Sequence, residues 1–352
     1  MVRVTPLAVA AVVLCAACTD RSATAPAFNI SAGGPQGITV MSQNLYVGAD
    51  VDAVIGALAS PDPSDDLPAL LFAIATLEKT DFPARAGAVA DQIARARPDA
   101  VGLQEVSVID IDLSALGGPV VHLDFLQILQ AKLAERGLHY SLAAEVQNIE
   151  AKPIPGISLV DHDALLVNDD RVTVGSAGGQ NFAVNVGFVA PGIELKRGWV
   201  WARTTVDGQA LTFVSLHAEA DLAGAHLDGL RALQLGEVVG SFAGDARVIM
   251  MGDFNDTPGS LMYQVVSGAG YGDVWAALRP GVTGLSCCHV PDLSDRVARF
   301  TQRIDYVFTR GLGTRPSGQV DYFGNAPADR VAGPQYPIWP SDHAGILAFL
   351  KR

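Results

Sequence analysis

Val248-Ile-Met-Met-Gly-Asp-Phe-Asn-Asp256 is an apolar run that stops abruptly in two acids and an amide. The run from Arg247 to Met251 reads as a core strand, and its end carries Asp253 and Asn255 two residues apart. Alternation along a strand predicts that both polar side chains point the same way. The competing reading is an Asx-turn ahead of Thr257-Pro258. Ser341-Asp-His343 repeats the theme near the C-terminus, with an acid and an imidazole ahead of an apolar strand from Ala344 to Leu350. A carboxylate can orient or take a water proton, an amide can donate to a phosphoryl oxygen, and an acid-paired imidazole can move a proton. Together the two stretches look like halves of a metal-assisted phosphoester hydrolase site.

Outward from these stretches the chain alternates strands and helices. Gly37 to Leu45 has apolar residues at alternate positions and predicts a first strand. Leu67 to Ala96 predicts an amphipathic helix broken near Asp81-Phe-Pro83, and Pro98 to Glu105 a short buried strand. His122 to Arg136 predicts a helix closed by Gly137, and Ala164 to Val167 another strand. Asp207-Gly208 between two runs of β-formers, Gly198 to Val206 and Gln209 to Leu216, is a strong hairpin signal. Leu222 to Phe242 predicts a long helix, and Ile304 to Thr309 a further strand. This order implies an α/β fold: a four-layer α-β-β-α sandwich, two mixed or mostly antiparallel sheets face to face with helices outside. No linker divides residues 37–352, which read as a single domain.

The N-terminus reads differently. Arg3 precedes an unbroken apolar run, Leu7 to Ala17, which is too short to span a bilayer. It ends in Leu14-Cys-Ala-Ala-Cys18, and small residues before a cysteine resemble a bacterial lipoprotein signal. Residues 1–18 are therefore expected to direct export, with Cys18 as the lipidated first residue; ordinary cleavage at an Ala-x-Ala-like site is the alternative. Residues 19–36 are rich in Ala, Ser, Thr, Gly and Pro and read as a flexible linker. The protein is expected at the cell envelope, lipid-anchored, or else periplasmic or secreted. The remaining cysteines, Cys287 and Cys288, are adjacent. They read as an oxidised loop clip, with a reduced buried pair as the plain alternative. A metal site with His289 lacks the usual ligand spacing.

The formal net charge is −13, from 24 Lys and Arg against 37 Asp and Glu, so tight electrostatic binding of duplex DNA is not expected. Five polar motifs fall at strand ends: Asn44, Glu105, His217, Asp253 with Asn255, and Asp342 with His343; Asp305 heads another strand. Strand ends hold side chains rigidly, as a preorganised site requires. Glu105, Asp342 and the amide oxygen of Asn44 are hard oxygen donors suited to Mg²⁺, with Mn²⁺ or Ca²⁺ as alternatives. His217 alone would be a structural imidazole; His343 is stronger because Asp342 adjoins it and Asp305 is available to orient it. Asp161 or Asp163 could orient His217 from behind, although a solvated strand start is the plainer reading. His122, His139, His226 and His289 receive no role. The two tryptophans of the hairpin, Trp199 and Trp201, share a face and are expected to pack against the other sheet.

Gly-Asp-Phe-Asn and Ser-Asp-His, in order after Asn44, Gln104-Glu105 and His217, resemble the endonuclease/exonuclease/phosphatase superfamily. This superfamily includes DNase I-like nucleases, bacterial sphingomyelinases and inositol polyphosphate phosphatases. The resemblance spans nearly all of residues 37–352. It implies that Asn44 and Glu105 help hold a metal or its phosphate and that Asp342 is a ligand or supporting acid. It also implies that Asp253 activates water, that Asn255 binds the phosphoryl oxygen, and that His217 and His343 form a pair, the latter oriented by Asp305. His217 argues against the abasic-site nucleases, where that position is typically Tyr. The implied activity is water attack on a phosphodiester of nucleic acid, a phospholipid head group or a small molecule. Apart from the membrane reached through the lipid, no protein partner is indicated. The alternative from another class is a surface-anchored binding protein on the same scaffold without catalysis. A Zn²⁺ hydrolase is weaker, because no paired His or Cys set has zinc spacing.

Overall fold

The computed structural model describes residues 37–351 except Pro63, Ala223 and Thr314. The expected leader with Cys18 and the expected linker therefore lie outside the described residues. Among the described residues, two large sheets pack face to face. The first orders its strands Gly318–Phe323, Gly345–Lys351, Gly37–Asn44, Ala100–Gln104, Ile157–Asn168, Tyr140–Ala151, Ile193–Leu195 and Gly187–Ala190. The hairpin Val108–Asp112 and Val120–Asp124 joins it at the side. The second runs Gly272–Asp273, Asp305–Arg310, Val248–Asp253, Gln209–His217, Gly198–Val206 and Val172–Asn181.

Strand periodicity explains the layers. On the inner faces, Ile38, Val40, Leu165 and Ile346 of the first sheet meet Val200, Phe213, Ile249, Met251 and Val307 of the second. The opposite face of the first sheet is covered by helices Asp66–Thr80, Phe82–Ala96 and Phe125–Ala134. That of the second is covered by Asp228–Ser241 and Leu261–Gly268. This is the four-layer α-β-β-α sandwich. The sheets pack tightly at Gly102, where an added Cβ would lie 2.5 Å from Ser215 Oγ. The Asp207-Gly208 turn has positive φ at both residues, 47° and 76°, as a tight two-residue hairpin requires. No helix among the described residues is long and apolar enough to cross a membrane.

Several expectations are corrected. His122 to Asp124 belong to a strand, and the helix starts at Phe125 because the Asp124 side chain caps it through Gln127 N. The helix expected from Leu222 begins at Asp228 instead. There the Asp221 carboxylate takes the Leu227 N–H and the Arg231 guanidinium, tying off the preceding loop. Trp199 is buried and Trp201 half-buried, but on the helix-covered face with Val238 and Phe242, not against the other sheet. Their neighbours Val200 and Ala202 take the inter-sheet positions.

Candidate active site

The site is the polar end of the inter-sheet core. Three stripes of the second sheet that pack inward end in chemistry: Phe213-x-Ser215-x-His217, Ile249-x-Met251-x-Asp253, and Val307 back to Asp305. Register brings the ends together, since His217 is the parallel partner of Asp253 and Asp253 the antiparallel partner of Asp305. His217 Nε2 lies 3.6 Å from Asp253 Oδ2. His343 joins them from the first sheet, its Nδ1 2.9 Å from Asp305 Oδ2 and its Nε2 3.8 Å from Asp253 Oδ2. Gly252 is required here by both conformation and space: its φ is +147°, and an added Cβ would lie 2.1 Å from Leu216 O.

Asn255 does not continue the strand. Its φ is +50°, its N–H donates to Asp253 Oδ1 at 2.9 Å, and its Nδ2 donates to Ala218 O at 3.0 Å. The Asx-turn and the functional placement are thus one feature, because the turn carries Asn255 onto the cavity wall beside Asp253.

The first sheet contributes the ends of its two parallel central strands. Asn44 Nδ2 donates to Glu105 Oε1 at 2.9 Å and to Asp253 Oδ2 at 3.2 Å, linking the two sheets' carboxylates. Its Oδ1 accepts the Tyr46 N–H at 2.9 Å, so the amide oxygen expected to face a cation is turned to the backbone. Glu105 Oε2 accepts the Val47 N–H at 2.8 Å. Tyr46 and Glu105 both have left-handed backbones, φ 56° and 54°, a costly geometry for these residues that clusters at functional sites.

Glu105, Tyr46, His217, Asp253, Asn255 and His343 line a cavity of about 330 Å³ with Asp342, Arg197, Asp161 and His289. Burial pushes the Asp253 carboxyl up to about 7, offset by His343 and reinforced by Asp305. Burial also pushes Asp342 up to about 7, with His343 lowering it and Glu105 raising it. His343 is held well above the ordinary imidazole value: burial opposes its charge, but Asp305, Asp342 and Asp253 outweigh that. His217 moves the other way, well below its ordinary value, through burial and then Arg197. Glu105 and Asp342 thus form a hard-oxygen pair with a raised carboxyl, the condition a divalent cation such as Mg²⁺ relieves. A second acidic convergence is the set Asp253, Asp305 and His343, whose ligand atoms lie within 4.8 Å of one another. In it Asp305 and His343 already satisfy each other by hydrogen bonding.

Further residues complete the site. Arg85 is fully buried and donates to four backbone carbonyls, those of Thr80, Leu45, Pro340 and Tyr46. It therefore clamps the loop after Asn44 to the segment that leads into Asp342; burial lowers its guanidinium to about 10. Arg197 is buried against His217, with Nη1 3.1 Å from Nδ1. Lys196 instead pairs with Glu194. Asp161 and Asp163 are buried, not a solvated strand start, and burial raises both carboxyls, Asp161 to about 7. Cys287 and Cys288 lie on the cavity wall with their sulfurs joined, and Cys288 Sγ is 3.9 Å from His343 Nε2. His289 is stacked on Trp339 and hydrogen-bonded through Nδ1 to Asp295 at 2.8 Å. His122, His139 and His226 each pair with a surface acid away from the cavity.

Residues 41–343 match the Endonuclease/Exonuclease/phosphatase family. No curated protein sequence matches the chain. Among solved structures, it is similar to a Bacteroides thetaiotaomicron mannosyl-6-phosphatase at 17% identity and a TM-score of 0.56, over 90% of this chain and 100% of that one. Similar likeness extends to D. rerio TDP2 complexed with single-strand DNA product, at 16% identity and a TM-score of 0.54, over 90% and 99%. An endonuclease/exonuclease/phosphatase from Bacteroides vulgatus gives 18% identity and 0.54 over 90% and 98%. At such identities these structures speak to the shared fold.

Proposed function

Because this chain belongs to the Endonuclease/Exonuclease/phosphatase family, whose members are phosphoester hydrolases, we propose that it is a metal-dependent phosphodiesterase acting on a compact substrate. The observation that carries the reading is the meeting of Asp253, Asn255, His217 and the Asp305–His343 pair with Glu105 and Asp342 around one cavity. Asp253 would orient and deprotonate a water. Asn255 and the histidines would receive phosphoryl charge, which is most effective in a water-poor pocket. Glu105 and Asp342 would hold the cation, with Asn44 bridging the carboxylates around it. When bound, Mg²⁺ would supply Lewis-acid neutralisation of charge on the phosphoryl group.

The cavity wall supports a compact substrate. Among the described lining residues Arg197 is the one Lys or Arg, against Asp50, Glu105, Asp161, Asp253 and Asp342. Tyr46, Val51, Ile149, Leu159, Pro291 and Ile304 give the wall an apolar side. Such a wall suits one phosphate carrying an uncharged or cationic group, and it disfavours a polyanion. The leader and Cys18 support an exported, lipid-anchored protein. In that case the tether enters at Gly37, roughly 25 Å along the strand from Asn44 by ordinary strand rise. Replacing Cys18 with Ser should then release the protein from membranes.

The test is the purified protein with Mg²⁺, assayed in parallel on bis(p-nitrophenyl) phosphate, sphingomyelin, a sugar phosphate, RNA and plasmid DNA. Turnover of the small or head-group esters with little cleavage of plasmid is expected. Efficient plasmid cleavage would overturn the compact-substrate reading, and silence on all five would overturn the hydrolase reading.

A further inference from the structure

We propose that Arg197 fixes His217 as a neutral imidazole with its proton on Nε2, making this ring a standing hydrogen-bond donor in the cavity. Arg197 Nη1 lies 3.1 Å from His217 Nδ1. A guanidinium offers donors and no acceptor, so at that contact Nδ1 must supply its lone pair. His217 is 1% exposed, so no bulk water competes for the position. The ring's proton is left on Nε2, which faces Asp253 Oδ2 at 3.6 Å.

Neither acid weighed as an orienting partner for His217 takes this contact. Asp163 Oδ1 is 3.8 Å from Nδ1, beyond hydrogen-bond range. Asp161 instead faces the guanidinium, 4.0 Å from Arg197 Nη1. Arg197 is itself anchored: Nε donates to Glu219 Oε1 at 3.4 Å, and its backbone N–H donates to Asn185 Oδ1 at 2.8 Å. Glu219 is held in turn by Gln234, whose Oε1 takes its N–H at 2.9 Å. Burial works against the charge of Arg197, but Glu219, Asp161, Glu105 and Asp163 outweigh it and keep the guanidinium charged.

His343 faces the opposite kind of neighbour. Asp305 is an acceptor at 2.9 Å, which requires the proton on Nδ1 and leaves Nε2 facing Asp253 Oδ2 at 3.8 Å. The pair assigned from sequence therefore divides by tautomer: Arg197 sets the proton of His217 on Nε2, and Asp305 sets that of His343 on Nδ1. Arg197 is a positioning residue that acts through His217.

This inference deepens the phosphoesterase reading, but its first test is independent of turnover. Long-range proton–nitrogen NMR on protein labelled with ¹⁵N-histidine, with His217→Gln to assign the signal, reports which ring nitrogen carries the proton. A neutral His217 protonated on Nε2 at neutral pH is expected. In Arg197→Met no guanidinium faces Nδ1, so the fixed preference for Nε2 should be lost and both ring nitrogens should share the proton. In that variant kcat should fall by about tenfold or more, with KM changed less, on the scale of losing one positioned proton-handling group. Arg197→Lys keeps a donor, and should keep the Nε2 proton and regain much of the lost kcat. A wild-type His217 protonated on Nδ1 overturns the proposal, even if Arg197→Met fails to fold. An Arg197→Met protein with the wild-type ring state overturns it as well. The expected spectrum without hydrolysis of any phosphoester would sink the functional reading and leave the ring assignment standing.

Discussion

The two sheets hold their shares of the cavity by different means. The second sheet places His217, Asp253 and Asp305 within paired strands, so ladder register fixes them as it fixes the core beneath. The first sheet places Glu105 and Asp342 just beyond strand ends, in loops steadied by left-handed residues and by the carbonyl contacts of Arg85. One half is built by the fold's regular hydrogen bonding, the other by a single buried cation. The first should tolerate a change of chemistry without loss of structure; the second should couple chemistry and stability.

The largest expected effect tests the register-built half. Asp253→Asn should reduce turnover by about a thousandfold, within the usual range for a positioned acid or base, while the thermal midpoint stays equal or rises. A matching loss of stability, read by thermal melting, would show that Asp253 supports the fold. Next comes the clamp. Arg85→Met leaves buried carbonyls of Leu45, Tyr46 and Pro340 without a donor and should cost about 3 kcal/mol or more. It should also raise the Mg²⁺ concentration needed for half-maximal activity. An Arg85→Met protein with wild-type melting and wild-type metal dependence would erase the distinction between the halves.

A third test uses pH. Asp253 and Asp342 have folded pKa values raised to about 7, above their unfolded values near 4, and His343 is raised as well. Such groups stabilise the metal-free fold at low pH, and that contribution is lost as pH rises through the folded pKa values. His217, depressed, works oppositely below about pH 6.5, the unfolded imidazole value. Between about pH 6.5 and 8 the metal-free protein should therefore lose stability, and Mg²⁺ should restore it at pH 8 more than at pH 6.5. Equal Mg²⁺ stabilisation at both values, by scanning calorimetry, would separate the cation from these carboxyls. The smallest effect concerns the seam between the halves. Gly102→Ala would drive a methyl against Ser215 Oγ and Met251, and should cost about 1–2 kcal/mol by overpacking with little change in KM.

The register-built half was the more legible in sequence. Asp253 and His217 end alternating apolar stripes, and the periodicity that predicts the strand also predicts the face on which the acid lies. Glu105 and Asp342 were legible as strand-end acids, but the turn of the Asn44 amide was not. It depends on the Tyr46 N–H, which only the left-handed loop presents. Arg85 was invisible in its role, although a trace existed. It shares the helix face of Val89 and Ile93, both fully buried, so a cation lay on an apolar stripe. Arg197 left no such trace, because its meaning depends on His217 from the neighbouring strand. The helix expected at His122 failed because a three-residue strand end and a cap resemble a helical turn when read without their partners.

Ser341 Oγ donates to Asn44 O, and the last strand, Gly345–Lys351, pairs with the first, Gly37–Asn44. The earliest and latest segments of the described chain therefore meet next to the residues of the cavity wall. A growing chain would carry Asn44, Glu105 and Asp253 long before Asp342 and His343 exist. Hydrolysis would then begin only once the strand Gly345–Lys351 has been made and has docked on Gly37–Asn44. Cutting the chain before Asp342 should silence the protein, because it removes Asp342 and His343 together with a strand that pairs on both sides within the first sheet.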